Sequence, residues 1–154
     1  MKTGRHAKII ELIGKYEIET QEELAEYLKK EGFEVTQATV SRDIRKLKLT
    51  KVALQGGRQR YALPQPQDSE ESRRYIRVLR EGFVSMEMAQ NILVVKTVAG
   101  MAMAVAAAID AMSWQEVAGC IAGDDTIMCA NRSTDDTLLV MEKIRRIVED
   151  EKVR

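Results

Sequence analysis

The stretch 36–51 combines short polar side chains with guanidinium groups, a mixture that suits contacts with DNA. It is predicted to form an amphipathic helix, because apolar residues recur at the helical spacing i, i+4 and i+7, namely at Val40, Ile44 and Leu47. The other face then carries the candidate DNA-binding residues Gln37, Thr39, Ser41, Arg42 and Arg45. Arg bonds guanine edges and Gln bonds adenine edges bidentately, while Thr and Ser suit bases or phosphates. An ordinary solvated helix face is the alternative, because exposed Arg and Lys are common on helices.

The segments before this helix favour the DNA-binding interpretation. Residues 9–13 predict a first helix that ends near Gly14. Thr20 and Glu23 have the spacing of a capping box, which predicts a second helix that ends at Gly32. Thr36 is then the predicted N-cap of the third helix. Three short helices with a tight link between the last two describe a helix-turn-helix.

The residues after the third helix predict a basic hairpin. Residues 49–54 and 60–63 alternate like strands around Gly56-Gly57, a pair that permits a turn with positive φ. A hairpin that follows a recognition helix forms the wing of a winged helix, and Arg58 and Arg60 are its candidate DNA contacts. From residue 42 to residue 60 there are seven Lys and Arg but a single acid, Asp43. This balance suits a surface that neutralises phosphates.

Charge and composition divide the chain in two. Residues 1–67 hold 13 Lys and Arg against 9 Asp and Glu (net +4), whereas residues 68–154 hold 11 against 15 (net −4). The polar stretch 64–72 contains both prolines of the chain and predicts a linker. We therefore expect a DNA-binding domain at 1–64, a linker at 65–72 and a second domain at 73–154. The charged N-terminus, and the lack of an apolar run of the roughly 20 residues that a spanning helix needs, predict a cytoplasmic protein that does not bind membranes.

The second domain is predicted to be an α+β fold of order ββαββα. Strands are expected at 76–88, 91–97, 117–122 and 126–130, and helices at 100–112 and 134–150. Hairpin-length links favour an antiparallel sheet with the helices on one side. The helix at 100–112 is apolar on nearly every face, and one sheet covers only one side of it, so we expect an oligomerisation domain. The alternative is a helix that is rich in Ala for its helical propensity alone.

Three carboxylates stand out in this otherwise apolar domain: Asp110 in the helix, and the adjacent Asp124 and Asp125 in a hairpin turn. Adjacent carboxylates repel each other, whereas a planar guanidinium can bind both at once. A solvated Gly-Asp-Asp turn without a ligand is one alternative. Another is a metal-dependent enzyme in which the three acids bind a divalent cation. The sequence disfavours the enzyme, because it shows no obvious nucleophile and no histidine base near the acids.

A zinc site, a disulfide and a bound cofactor are not expected. His6 is the only histidine, it lies far in sequence from Cys120 and Cys129, and no CxxC or HxxxH spacing occurs. Two cysteines in a chain without a secretory signal are more often free thiols than a disulfide across a hairpin.

Three motifs together resemble the bacterial arginine repressor family. They are TQATVSRD at 36–43, TVAG at 97–100 and GCIAGDDT at 119–126, in the family's order and on both sides of a polar linker. The resemblance covers essentially the whole chain. It implies a cytoplasmic repressor of arginine biosynthesis genes that binds palindromic operators. It also implies C-terminal domains that form trimers, with pairs of trimers joined into hexamers by the corepressor L-arginine.

The resemblance assigns roles to individual residues. Asp124 and Asp125 match the aspartates that hold the ligand's guanidinium, and Asp110 matches the helix acid that faces its amino end. The DNA contacts match Gln37, Thr39, Ser41 and Arg42, with the wing 56–60 beside them. Met103 stands where relatives commonly carry Gln or His as a ligand contact, and a thioether does not replace those bonds well. Ala99 replaces a proline often found before the matching glycine, which loosens the turn into the helix.

Overall fold

The computed structural model describes residues 4–64 and 69–149. The chain divides into two compact units, Met1–Gln65 and Pro66–Arg154. Among the described residues, no helix combines the length and the apolar character needed to cross a membrane.

The first unit is a winged helix-turn-helix, as predicted. Its elements are α1 (Arg5–Lys15), α2 (Gln21–Lys30), α3 (Gln37–Lys46), β1 (Thr50–Ala53) and β2 (Gln59–Ala62). Both predicted caps are present: the Thr20 hydroxyl accepts from the Glu23 amide at 3.1 Å, and the Thr36 hydroxyl accepts from the Thr39 amide at 3.2 Å. The core consists of fully buried side chains from all three helices, among them Ile9, Ile10, Ile13, Leu24, Leu28 and Val40.

The wing forms as expected, but the helix before it is shorter than predicted. Helix α3 ends at Lys46 rather than continuing to residue 51, because Lys48 adopts a left-handed conformation (φ 56°) that turns the chain into β1. Strands β1 and β2 pair antiparallel, with Ala53 opposite Gln59. The turn between them places Gly56 and Gly57 both at φ 78°, which is the positive φ that the glycine pair predicted.

The second unit is an antiparallel sheet with helices on one face. Its elements are α4 (Glu70–Gly82), β3 (Phe83–Ala89), β4 (Ile92–Thr97), α5 (Ala102–Ala111), β5 (Val117–Ala122), β6 (Thr126–Asn131) and α6 (Thr134–Glu149). The strand order is β3-β4-β6-β5. One core joins Leu79 of α4, apolar residues of α5 and α6, and inward side chains of β4 and β6.

Helix α4 corrects two predictions. Residues 76–82 are helical and not the beginning of a strand, and the helix also takes up residues 70–72 of the predicted linker. The Ser69 hydroxyl caps the helix by accepting from the Ser72 amide at 3.1 Å. Tyr75, Leu79 and Gly82 recur at helical spacing and face the core. The apolar residues of this stretch therefore follow the period of a helix and not that of a strand. Residues 65–68 of the predicted linker lie outside the described residues.

The sheet has a covered face and an open face. Leu93, Val95, Ile127 and Cys129 point into the core and are fully buried. Their neighbours in the strands point the other way. We call this second side the open sheet face and define it by Val94, Ile121 and Met128, which pair side by side across β4, β6 and β5. Ile121 is 80% exposed and Met128 is 53% exposed, so the described part of the second unit does not cover this apolar strip.

Candidate functional site

Helix α3 presents its predicted DNA-binding residues on one exposed side. Gln37, Arg42 and Arg45 are exposed, while Thr39 and Ser41 are half-buried. The Gln37 amide donates to a Glu22 carboxylate oxygen at 3.0 Å, which links the start of α3 to α2. The Thr39 and Thr36 hydroxyls lie 3.0 Å apart at the helix N-terminus, a position that favours an adjacent phosphate.

A buried ion cluster on the inner side of α3 was not predicted. Asp43 is only 3% exposed. Its carboxylate accepts from Arg5 Nε at 2.6 Å and from a second Arg5 nitrogen at 3.0 Å, and it lies 2.8 Å from His6 Nε2. Burial alone raises the pKa of Asp43, but the hydrogen bonds with His6 and Arg5 outweigh it and hold the pKa below its usual range. The cluster therefore fastens α3 to the first turn of α1.

Sequence reasoning noted Asp43 only as the single acid in a basic stretch. Its partners lie 37 and 38 residues earlier in the chain, so no local spacing reveals them.

The two wing arginines occupy different environments. Arg60 is half-buried and donates to the main-chain oxygen of Ile13 at 3.4 Å, which ties the wing to the end of α1. Arg58 is exposed and donates to Glu19 at 3.2 and 3.0 Å and to Glu17 at 3.4 Å. Its hydrogen bond to Glu19 lowers the pKa of that carboxyl. Arg58 is thus exposed on the wing and paired with two carboxylates of the segment between α1 and α2.

The turn that carries Asp124 and Asp125 is fastened to the beginning of α5. The main-chain oxygen of Asp124 accepts from the amides of Gly100 at 3.1 Å and Ala102 at 3.2 Å, and that of Asp125 accepts from the Thr97 amide at 2.8 Å. Both side chains are exposed. Three backbone bonds therefore hold the adjacent carboxylates at the N-terminal end of the apolar helix.

The Asp125 carboxylate is hydrogen-bonded to the residue that follows it. It accepts from the Thr126 hydroxyl at 2.8 Å, and that hydroxyl in turn accepts from Lys96 Nζ at 2.9 Å. This chain of two hydrogen bonds was not foreseen, because Lys96 lies on the neighbouring strand β4, opposite Thr126.

The outer side of α5 carries the other predicted ligand-binding residues. Met103, which is 73% exposed, and Asp110 lie on the same side of the helix, with the exposed Ala107 between them. Two turns, or about 10 Å, separate them along the axis. The opposite side of the helix is buried against the core. The second unit thus covers only one side of this apolar helix, as expected.

The three acids do not form a cation site within one chain. Within residues 4–64 and 69–149, no group of three His, Cys, Asp or Glu side chains lies close enough together to hold a metal ion.

A winged helix-turn-helix joined to a separate α+β unit defines a DNA-binding regulator of transcription. Comparison with known families agrees. Residues 1–69 match the model of the arginine repressor DNA-binding domain, and residues 79–146 match that of the arginine repressor C-terminal domain. The chain belongs to the arginine repressor family.

Relatives match over nearly their whole length. An arginine repressor of Lachnoclostridium phytofermentans is 62% identical over 152 residues, which cover 99% of this chain and all of the relative. The arginine repressor of Lachnospira eligens is 61% identical over 150 residues, which cover 97% of this chain and 99% of the relative. The arginine repressor of Alkaliphilus metalliredigens is 50% identical over 149 residues, which cover 97% of this chain and all of the relative. The family is one of DNA-binding transcriptional repressors and not of enzymes, so this chain is a transcriptional repressor.

Proposed function

We propose that this repressor acts on arginine biosynthesis genes, binds palindromic operators as a hexamer and uses L-arginine as its corepressor. The observation that carries the proposal is the pair of carboxylates fastened by backbone bonds to the start of a helix whose outer side is uncovered. Such a pair at a prospective subunit interface binds a cation that joins subunits. The proposed place of action is the cytoplasm, where DNA and free arginine are both accessible.

Arginine fits the acidic turn by its chemistry. Its planar guanidinium offers several N–H donors in a fixed fork, which two adjacent carboxylates accept in charge-assisted bonds. In this proposal Asp124 and Asp125 bind the guanidinium, and Asp110 binds the ligand's ammonium group. Met103 contributes apolar contact beside them. Because the described chain does not gather the three acids into one cluster, we propose that different subunits supply them.

Two separate uncovered surfaces support an assembly with two kinds of contact. A dimer of trimers needs one interface within each trimer and another between trimers. Asp110 lies on the outer side of α5, and the turn with Asp124 and Asp125 is bonded to the beginning of this helix, so we assign this side to the contact between trimers. The open sheet face, with Ile121 and Met128 exposed, is then assigned to the contact within a trimer.

On the DNA, α3 is the proposed reading element. Arg42 and Arg45 are exposed and long enough to reach base edges, and Gln37, Thr39 and Ser41 line the same side. Arg58 in the wing is assigned to a phosphate. Arg60 has a structural bond to α1, so we assign it a supporting role in the wing and not a principal phosphate contact.

Replacing either turn aspartate tests the proposal. Asp124→Asn and Asp125→Asn keep the side-chain size but remove the charge, and breaking one member of a desolvated charge pair typically costs about 2 to 5 kcal/mol. We expect arginine affinity to fall about a hundredfold or more, since each 1.4 kcal/mol is a factor of ten. Calorimetric titration with L-arginine measures the affinity, and sedimentation with and without arginine measures the assembly.

The matched control is Glu81→Gln, which removes an exposed charge from α4. It should bind arginine and assemble as the unmodified protein does. Unchanged affinity and unchanged ligand-driven assembly in both aspartate variants would show that the turn is merely structural.

A further inference from the structure

The two cysteines of the chain lie directly opposite each other on neighbouring strands. Cys120 of β5 pairs in register with Cys129 of β6, and their sulfur atoms are 2.8 Å apart. Both are free thiols. Directly opposite residues in an antiparallel ladder have Cα atoms about 4.5 to 5.5 Å apart, which lies within the 4.4 to 6.8 Å that a disulfide requires. The backbone therefore permits a bond between them without a change of register.

The two thiols differ in exposure. Cys120 is half-buried on β5, which is an edge strand of the sheet, whereas Cys129 is fully buried on β6 inside the sheet. A small reagent thus meets Cys120 first.

The two thiols also differ in acidity. The hydrogen bond with the Cys129 thiol lowers the pKa of Cys120, against the opposing effects of burial and of the Asp110 charge. The thiolate is the reactive form of cysteine, so Cys120 is the better nucleophile of the two.

We propose that Cys120 and Cys129 form a reversible thiol-oxidation site, in which a small-molecule disulfide converts the two thiols into one intramolecular disulfide. The Cys120 thiolate attacks one sulfur of the reagent, which forms a mixed disulfide and expels the first small thiolate. The Cys129 sulfur then attacks Cys120 Sγ and expels the second. The two cysteine protons pass to the two expelled thiolates, so the protein loses two protons and two electrons, and the reagent gains them.

The disulfide would lie next to the acidic turn of the second unit. The disulfide would close the β5–β6 hairpin around residues 121–128, which include the turn with Asp124 and Asp125. The chemistry itself does not depend on arginine binding, so its test stands apart from that of the proposed function.

The experiment equilibrates the folded full-length protein in glutathione buffers from fully reduced to fully oxidised. Alkylation of free thiols, intact mass and peptide mapping then follow the two cysteines. We expect both thiols to disappear together, with the loss of two hydrogen atoms and a Cys120–Cys129 linked peptide, and dithiothreitol to restore them. Free thiols over the whole buffer range, or a disulfide between two chains, would overturn the proposal.

The single variants test which thiol attacks. Cys129→Ser retains the accessible Cys120 and should acquire one glutathione. Cys120→Ser retains only the buried Cys129 and should remain a free thiol in the same buffers. The reverse result, with glutathione on Cys129 alone, would contradict the assigned order of attack.

Discussion

Replacement of Asp43 by Asn should loosen the recognition helix from its support. The carboxylate is 3% exposed and accepts two hydrogen bonds from Arg5, with a third contact to His6 at 2.8 Å. Removing one partner of a buried ion pair costs about 3 to 5 kcal/mol. Asn keeps one acceptor oxygen, and the side chains of Arg5 and His6 retain 15% and 22% exposure, so we expect the lower end, about 3 kcal/mol.

Thermal and denaturant unfolding measure this loss. For a unit of this size each kcal/mol shifts the unfolding midpoint by roughly 4 to 8 °C, so the midpoint should fall by about 12 °C or more. Operator affinity should fall as well, because α3 is less firmly held. Glu34→Gln, which neutralises an exposed acid in the same unit, is the control and should change neither quantity.

The pH dependence gives a second check. Because the pKa of Asp43 is lowered in the folded protein, its stabilisation is complete above the ordinary aspartate pKa of about 4 and is lost as the pH falls through the lower folded value. The stability difference between the unmodified protein and Asp43→Asn should therefore be retained at neutral pH and shrink below about pH 4. A difference under about 1 kcal/mol at pH 7, with an unchanged denaturant slope, would refute the reasoning.

Three further changes give independent tests. Arg42→Ala should weaken specific operator binding by about 1 to 3 kcal/mol at fixed salt, and unchanged affinity would remove Arg42 from the reading surface. Glu19→Gln releases Arg58 and should raise affinity slightly for operator and unrelated DNA alike, as measured by fluorescence anisotropy; a gain confined to the operator would mean that the wing reads bases. Gly82→Ala places a Cβ 2.5 Å from Val105 Cγ2, where α4 meets α5, and should cost about 1 to 3 kcal/mol of unfolding free energy; normal stability would show that the helices separate easily.

Local sequence signals were sufficient for most elements. The capping residues Thr20 and Thr36 form the predicted bonds, since a cap and its amide lie three residues apart. Gly56 and Gly57 form the wing turn, because their backbone tolerates positive φ wherever the chain places it. The turn with Asp124 and Asp125 was likewise found from its spacing.

Only the tertiary structure decided the contacts between distant segments. The helical signal of 76–82 was local, since Tyr75, Leu79 and Gly82 lie at helical spacing, but the close packing of Gly82 against Val105 of α5 was not. The bonds of Asp43 with Arg5 and of Arg60 with Ile13 join residues that only the fold brings together. Sequence periodicity reports which side of an element is apolar, but which neighbour covers that side depends on non-local packing. The uncovered side of α5 was therefore expected from its apolar sequence, whereas the open sheet face became evident only in the folded chain.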